Sequence, residues 1–116
     1  MQDWRMRRKR GALVPLELAI LDAAAAHGEP VHGFELAKML ADAEGARSLT
    51  AHGTLYKALG RLAEQRLVEA EWEDPAIAAR EGRPRRRLYR VTGEGARRLA
   101  AARRRATALD AAAGLA

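Results

Sequence analysis

Apolar residues recur through the first half of the chain at three- and four-residue spacing, the period of a helix with one buried face. Leu16, Ile20 and Ala24 fall at i, i+4 and i+8. Pro15 stands where a first helical turn tolerates a missing N–H, and Gly28 suits a C-terminal stop. A first helix is predicted over 15–27. After the Glu29-Pro30 break, Phe34, Leu36, Met39 and Leu40 keep a helical rather than an alternating pattern, which predicts a second helix over 32–41. The polar stretch 44–48 separates it from a third, predicted from Gly53 to about Gln65, with Leu55, Leu59 and Leu62 inward and Thr50 offering a capping oxygen.

Past Arg66 the period changes. Leu67–Trp72 and Leu88–Thr92 are short, apolar-containing runs bounded by turn residues, and they predict two paired strands. The segment between them, about fifteen residues containing Pro75, Gly82 and Pro84, reads as a polar loop too long for a tight hairpin. Thr92 is expected to cap a last helix. Gly95 stands where a capping box would have Glu or Gln, so the cap should be the simple kind. Leu99, Ala102, Ala106, Leu109 and Ala113 continue the apolar stripe, and the alanine-rich tail beyond Ala106 is expected to fray. The order of elements is that of a mainly α protein with a small β-hairpin: a winged helix-turn-helix with one helix appended. The chain accordingly divides into a basic arm, 1–12, a winged-helix domain, 13–92, and a C-terminal helix, 93–116, expected to serve dimerisation.

Composition sharpens this. A length of 116 residues gives one domain and one modest core. No apolar run approaches a bilayer span, and the basic amino end is not followed by the apolar core of a secretory signal, so a cytoplasmic protein without membrane partners is expected. The absence of cysteine excludes disulfides and thiolate chemistry. A net charge of +6 favours a polyanion, since each cation placed on a phosphate releases counterions. Arginine-rich coding accounts for part of that charge, so its location matters more: 64–81 is acid-rich, whereas Arg5–Arg10, Arg83–Arg90 and Arg97–Arg105 are basic.

Two constellations suit double-stranded DNA. In a helix-turn-helix the third helix enters the major groove, and its outer face here carries Gly53, Thr54, Lys57, Gly60, Arg61 and Glu64, with His52 at its amino end. Tyr56 lies at the flank, where its hydroxyl can meet the DNA backbone or its ring can pack on the second helix. The competing explanation is an ordinary solvated face. The second constellation is Arg83, Arg85, Arg86 and Arg87, broken by the stiffening Pro84 at the carboxyl side of the wing, suited to phosphate clamping or a narrow minor groove. A solvated loop is the alternative there. His27, His32 and His52 show no metal-ligand spacing, Ser48 is the only serine, and no nucleophile elbow or phosphate-cradling loop is present. Neither a metal, a cofactor nor an enzymatic activity is expected.

The runs Val31–Leu36, Gly53–Leu62, Glu71–Glu73, Gly82–Arg86 and Tyr89–Gly95, in this order over roughly residues 13 to 100, resemble the PadR family of bacterial transcriptional regulators. The resemblance implies a winged-helix fold, a homodimer joined through the first and last helices (Leu16, Ile20, Leu99, Ala102, Ala106 and Leu109), a palindromic operator, and repression relieved by a small molecule or another signal. There are three departures from the family pattern: Phe34 stands where tyrosine is usual, Ala51-His52 where a serine and a proline often precede the recognition helix, and Arg66 where glycine is common. Ligands stacked between tryptophans are not expected, because Trp4 and Trp72 are the only two. A winged-helix protein-interaction module and a general nucleic-acid binder are the alternatives to a sequence-specific regulator.

Overall fold

Residues 13–43 and 52–115 are described by the structure, a computed structural model. The arm 1–12, the polar stretch 44–48 and the Thr50 cap lie outside the described residues. Helix α1 spans Pro15–His27. Its third residue, Glu17, turns its carboxylate back to accept the Val14 N–H at 3.0 Å, satisfying one of the donors a helix start leaves unpaired. Gly28 ends it in the left-handed conformation, φ 79°, which a residue without Cβ adopts without penalty. Strand β1, Val31–His32, then leads directly into α2, Gly33–Ala43. His32 caps that helix: its Nδ1 accepts the Glu35 N–H at 3.2 Å.

Helix α3, His52–Glu64, buries Leu55, Ala58, Leu59 and Leu62. Its end is a doubly bonded reverse turn in which the Leu67 N–H reaches the Leu62 carbonyl at 2.9 Å and the Arg66 N–H the Ala63 carbonyl at 3.0 Å. Arg66 occupies the left-handed position at φ 62°, the conformation for which glycine is suited. Strand β2, Val68–Trp72, follows, then α4, Pro75–Arg80, β3, Arg87–Val91, and α5, Gly93–Leu115.

Three expectations change. The sheet has three antiparallel strands in the order β1-β3-β2, not two, because Val31 and His32 pair with Tyr89 and Leu88. A two-residue strand carries no periodicity of its own and exists only through its partner. The long polar loop contains α4, started by Asp74, whose side chain accepts the Ala76 N–H at 2.9 Å, and ended by Gly82 at φ 66°. The alanine-rich tail, expected to fray beyond Ala106, is helical to Leu115, in keeping with alanine's top rank among helix formers.

Ile20, Leu21, Val31, Leu36, Leu55, Leu59, Leu62, Leu67, Val68, Tyr89 and Leu99 form one core between the helices and the sheet. Gly95 lets α5 dock against it. A Cβ there would lie 2.1 Å from the Leu67 carbonyl oxygen and 2.9 Å from a Val91 methyl. Thr92 fastens the same junction: its hydroxyl accepts the Gly95 N–H at 3.0 Å and donates to the Arg66 carbonyl at 2.7 Å. No helix among the described residues is long and apolar enough to cross a membrane.

Candidate nucleic-acid interface

With its leucines turned inward, α3 leaves Gly53, Thr54, Tyr56, Lys57, Gly60, Arg61 and Glu64 exposed. The expected outer face therefore exists as one surface, with Gly53, Thr54 and Lys57 near its amino end; the His52 side chain lies outside the description. Gly60 has nothing within 4 Å of where a Cβ would stand, so another surface can approach closely there. Tyr56 packs its ring on the second helix. A Cβ on Gly33 would fall 2.4–2.7 Å from the phenol, so the absence of that carbon is what seats the ring, leaving Tyr56 45% exposed. Arg61 is tied to the first helix: its Nε donates to Glu17 at 2.8 Å, and Glu17 is fully buried. A residue of the expected DNA-facing surface is thus also the clamp between α3 and α1.

The four wing arginines divide. Arg83 is committed inside the protein, forking onto both Glu73 carboxylate oxygens at 2.7 and 2.8 Å and donating Nε to Glu81 at 2.8 Å. Those hydrogen bonds hold the Glu73 carboxyl down at about 2. Glu73 also pairs through its backbone with Arg86, the Glu73 N–H donating to the Arg86 carbonyl at 2.8 Å, so the Arg83–Glu73 fork closes the base of the wing insert. Arg83 is consequently a brace, because both edges of its guanidinium already have carboxylate partners. Arg85, Arg86 and Arg87 remain exposed. The Arg85 and Arg87 guanidiniums lie over the Trp72 ring, 5.4 and 5.1 Å from its centroid.

Arg86 and Arg87 share an open cleft with His32, Gly33, Phe34 and Tyr56, so the wing cations and the flank of α3 face one concavity. His32 is held below the ordinary histidine value, chiefly by burial and then by the nearby Arg86 charge, which agrees with the acceptor role of its Nδ1. The sequence did not single out His32 for this position. Its signal, an imidazole three residues before Glu35 at a helix start, is shared by many unrelated helices. Among the described residues no group of three or more histidine, aspartate or glutamate side chains could hold a metal ion.

Of the residues expected at a dimer interface, Ile20 and Leu99 are corrected: they are 0% and 5% exposed within the single chain, members of its own core because α5 crosses α1 there. Leu16 and Ala102 are half-buried, while Ala106 and Leu109 are exposed.

Residues 20–101 match the model of the transcriptional regulator PadR-like family. The chain belongs to this family. Solved PadR structures share its fold. A PadR-like transcription factor from Bacteroides fragilis is 26% identical with a TM-score of 0.70, over 97% of this chain and 94% of that one. A PadR family regulator from Eggerthella lenta is 29% identical with a TM-score of 0.64, over 85% and 84%. A PadR family regulator from Clostridium difficile, 22% identical over 86% and 95% with a TM-score of 0.68, adds to the likeness of fold. No curated protein matches the sequence significantly. The PadR winged helix is a DNA-binding regulator's fold, and the polar α3 face and wing cations are the parts of this PadR chain with the chemistry for DNA.

Proposed function

We propose that the protein is a homodimeric transcriptional repressor that binds a palindromic operator, with α3 in the major groove and the wing on the flanking backbone or minor groove. The observation that carries this reading is the continuity of the surface: the exposed face of α3 runs through Tyr56 into the cleft that Arg86 and Arg87 border. Thr54 and Lys57, with His52, supply the donors for base edges and adjacent phosphates, and Gly53 and Gly60 allow close approach. Arg85, Arg86 and Arg87 supply phosphate contacts, while Tyr56 and Arg61 support the helix from its flank. Arg83 contributes by holding the wing in shape.

The dimer rests on Leu16, Ala102, Ala106 and Leu109, which sit partly or fully outside the protomer core. Two-fold symmetry of the protein would then be mirrored in the operator.

Selection of bound fragments from random duplex DNA tests this directly, an inverted repeat among the winners being the expected result. On that sequence Lys57→Ala is expected to cost about 1–3 kcal/mol and to weaken random-duplex binding much less. Replacing Arg85, Arg86 and Arg87 together by alanine is expected to weaken both and to lower the salt slope by about three. Equal losses on both duplexes for every variant, with no preferred sequence, would make the protein a general nucleic-acid binder.

A further inference from the structure

Trp72 is a large apolar side chain left 53% exposed at the end of β2, directly across the ladder from Arg87. It packs into no core, and burial does not explain it. What it touches are two cations, Arg85 and Arg87, each with its guanidinium carbon within 5.4 Å of the ring centroid. That is within the range of attraction between a cation and an indole face.

The contrast with Arg83 shows what this arrangement achieves. Glu73 and Glu81 orient Arg83 by cancelling its charge and occupying its donors. An indole face orients a guanidinium while leaving it positive and its in-plane N–H groups available to phosphate oxygens, apart from the one that Arg87 gives to the Tyr89 hydroxyl. We infer that Trp72 is a positioning residue of the DNA-binding wing, holding Arg85 and Arg87 so that they meet phosphate already oriented and still fully charged. This rests on the DNA-binding reading above. The gain is entropic, since ordering a long flexible side chain on binding costs about two- to tenfold in affinity for each arginine.

The test uses the full chain with Trp72→Leu, which removes the ring face, and Trp72→Phe, which keeps a smaller one. In the free protein the Arg85 and Arg87 side-chain NMR resonances are expected upfield through the ring current, to return toward random-coil positions in Trp72→Leu and partly in Trp72→Phe. Affinity for a random-sequence duplex is expected to fall about tenfold in Trp72→Leu at every salt concentration, with the salt slope kept because no charge is lost. Trp72→Phe should recover part of it, and melting temperatures should stay within a few degrees because the ring is exposed. On a background carrying Arg85→Ala and Arg87→Ala, Trp72→Leu should have no further effect. Unshifted arginine resonances in the wild-type protein overturn the proposal whatever the binding data. So does an equal loss on the double-alanine background, which would mean that the indole meets DNA itself. A wild-type protein that binds no duplex removes the DNA-binding reading and the positioning role together, and the NMR arm still decides separately whether Trp72 holds the two arginines.

Discussion

Glu17 and Arg61 look unrelated in the sequence, the first an acid in a helix start and the second a cation on a polar helix face. In the fold they form a pair whose carboxylate is fully buried and whose guanidinium is about half exposed. The two ends are therefore not equivalent. Arg61→Ala leaves the buried Glu17 carboxylate with the Val14 N–H but without its cationic partner, and is expected to cost about 3 kcal/mol in urea unfolding, the lower part of the range for breaking such a pair. Any loss of DNA affinity in that variant must be separated from this loss of stability. Glu73 offers a second measurement. Its folded value of about 2 lies below the ordinary 4.5, so the stabilisation from Arg83 is fully present above pH 4.5 and is lost as the pH falls through about 2. A carbon-detected titration of Glu73 should show that low midpoint, and Arg83→Gln should bring it back toward the ordinary range. Residues such as these are opaque to sequence reading because a charge pair separated by 44 positions has no periodic signature.

Among the elements, the helices were legible and the short pieces were not. Helices α1, α2 and α3 each hold a full apolar face, so their three-to-four spacing locates them to within a residue or two of their observed bounds. Helix α4 is only six residues long and has no such face, yet Asp74-Pro75 at its start and Gly82 after its end were signals that could have revealed it. The turn after α3 is the element most exposed to a single substitution. Arg66 sits at φ 62°, where a side chain costs about 1–2 kcal/mol; glycine removes that strain but returns about 0.4–1 kcal/mol of unfolded-state freedom. Arg66→Gly is therefore expected to stabilise the protein by about 0.5–1 kcal/mol in chemical denaturation. Gly95 illustrates the converse: local capping rules favour Glu or Gln there, but the Leu67 carbonyl leaves no room for any side chain.

At the scale of the whole molecule, α5 sets the shape. Its 23 residues span about 35 Å at 1.5 Å per residue, slightly more than the 33 and 30 Å short dimensions of the molecule. Its amino half lies on α1, where Leu99 enters the core and Arg103 pairs with Asp22, and residues 103–114 are exposed. Leu109, 65% exposed on that projecting half, is the position at which a second copy can be tested without disturbing the fold. Leu109→Glu is expected to shift sedimentation from dimer toward monomer with an unchanged circular dichroism spectrum, and to weaken operator binding while sparing single-half-site contacts. Unchanged sedimentation as a dimer would move the interface elsewhere.

By itself the sequence determined the helical order, the change of period into strands, the outer face of α3 and the location of the wing cations. All of these follow from local spacing and from residue chemistry that neighbours in the chain already express. Tertiary structure alone decided which apolar residues of α1 and α5 are core, that β1 pairs with β3, and that Tyr56 rests on Gly33. It also divided the wing arginines, giving Arg83 to Glu73 and setting Arg85 and Arg87 over Trp72. Four arginines in five residues are chemically alike along the chain; what distinguishes them is which carboxylate or aromatic face the folded wing brings within a few ångströms of each.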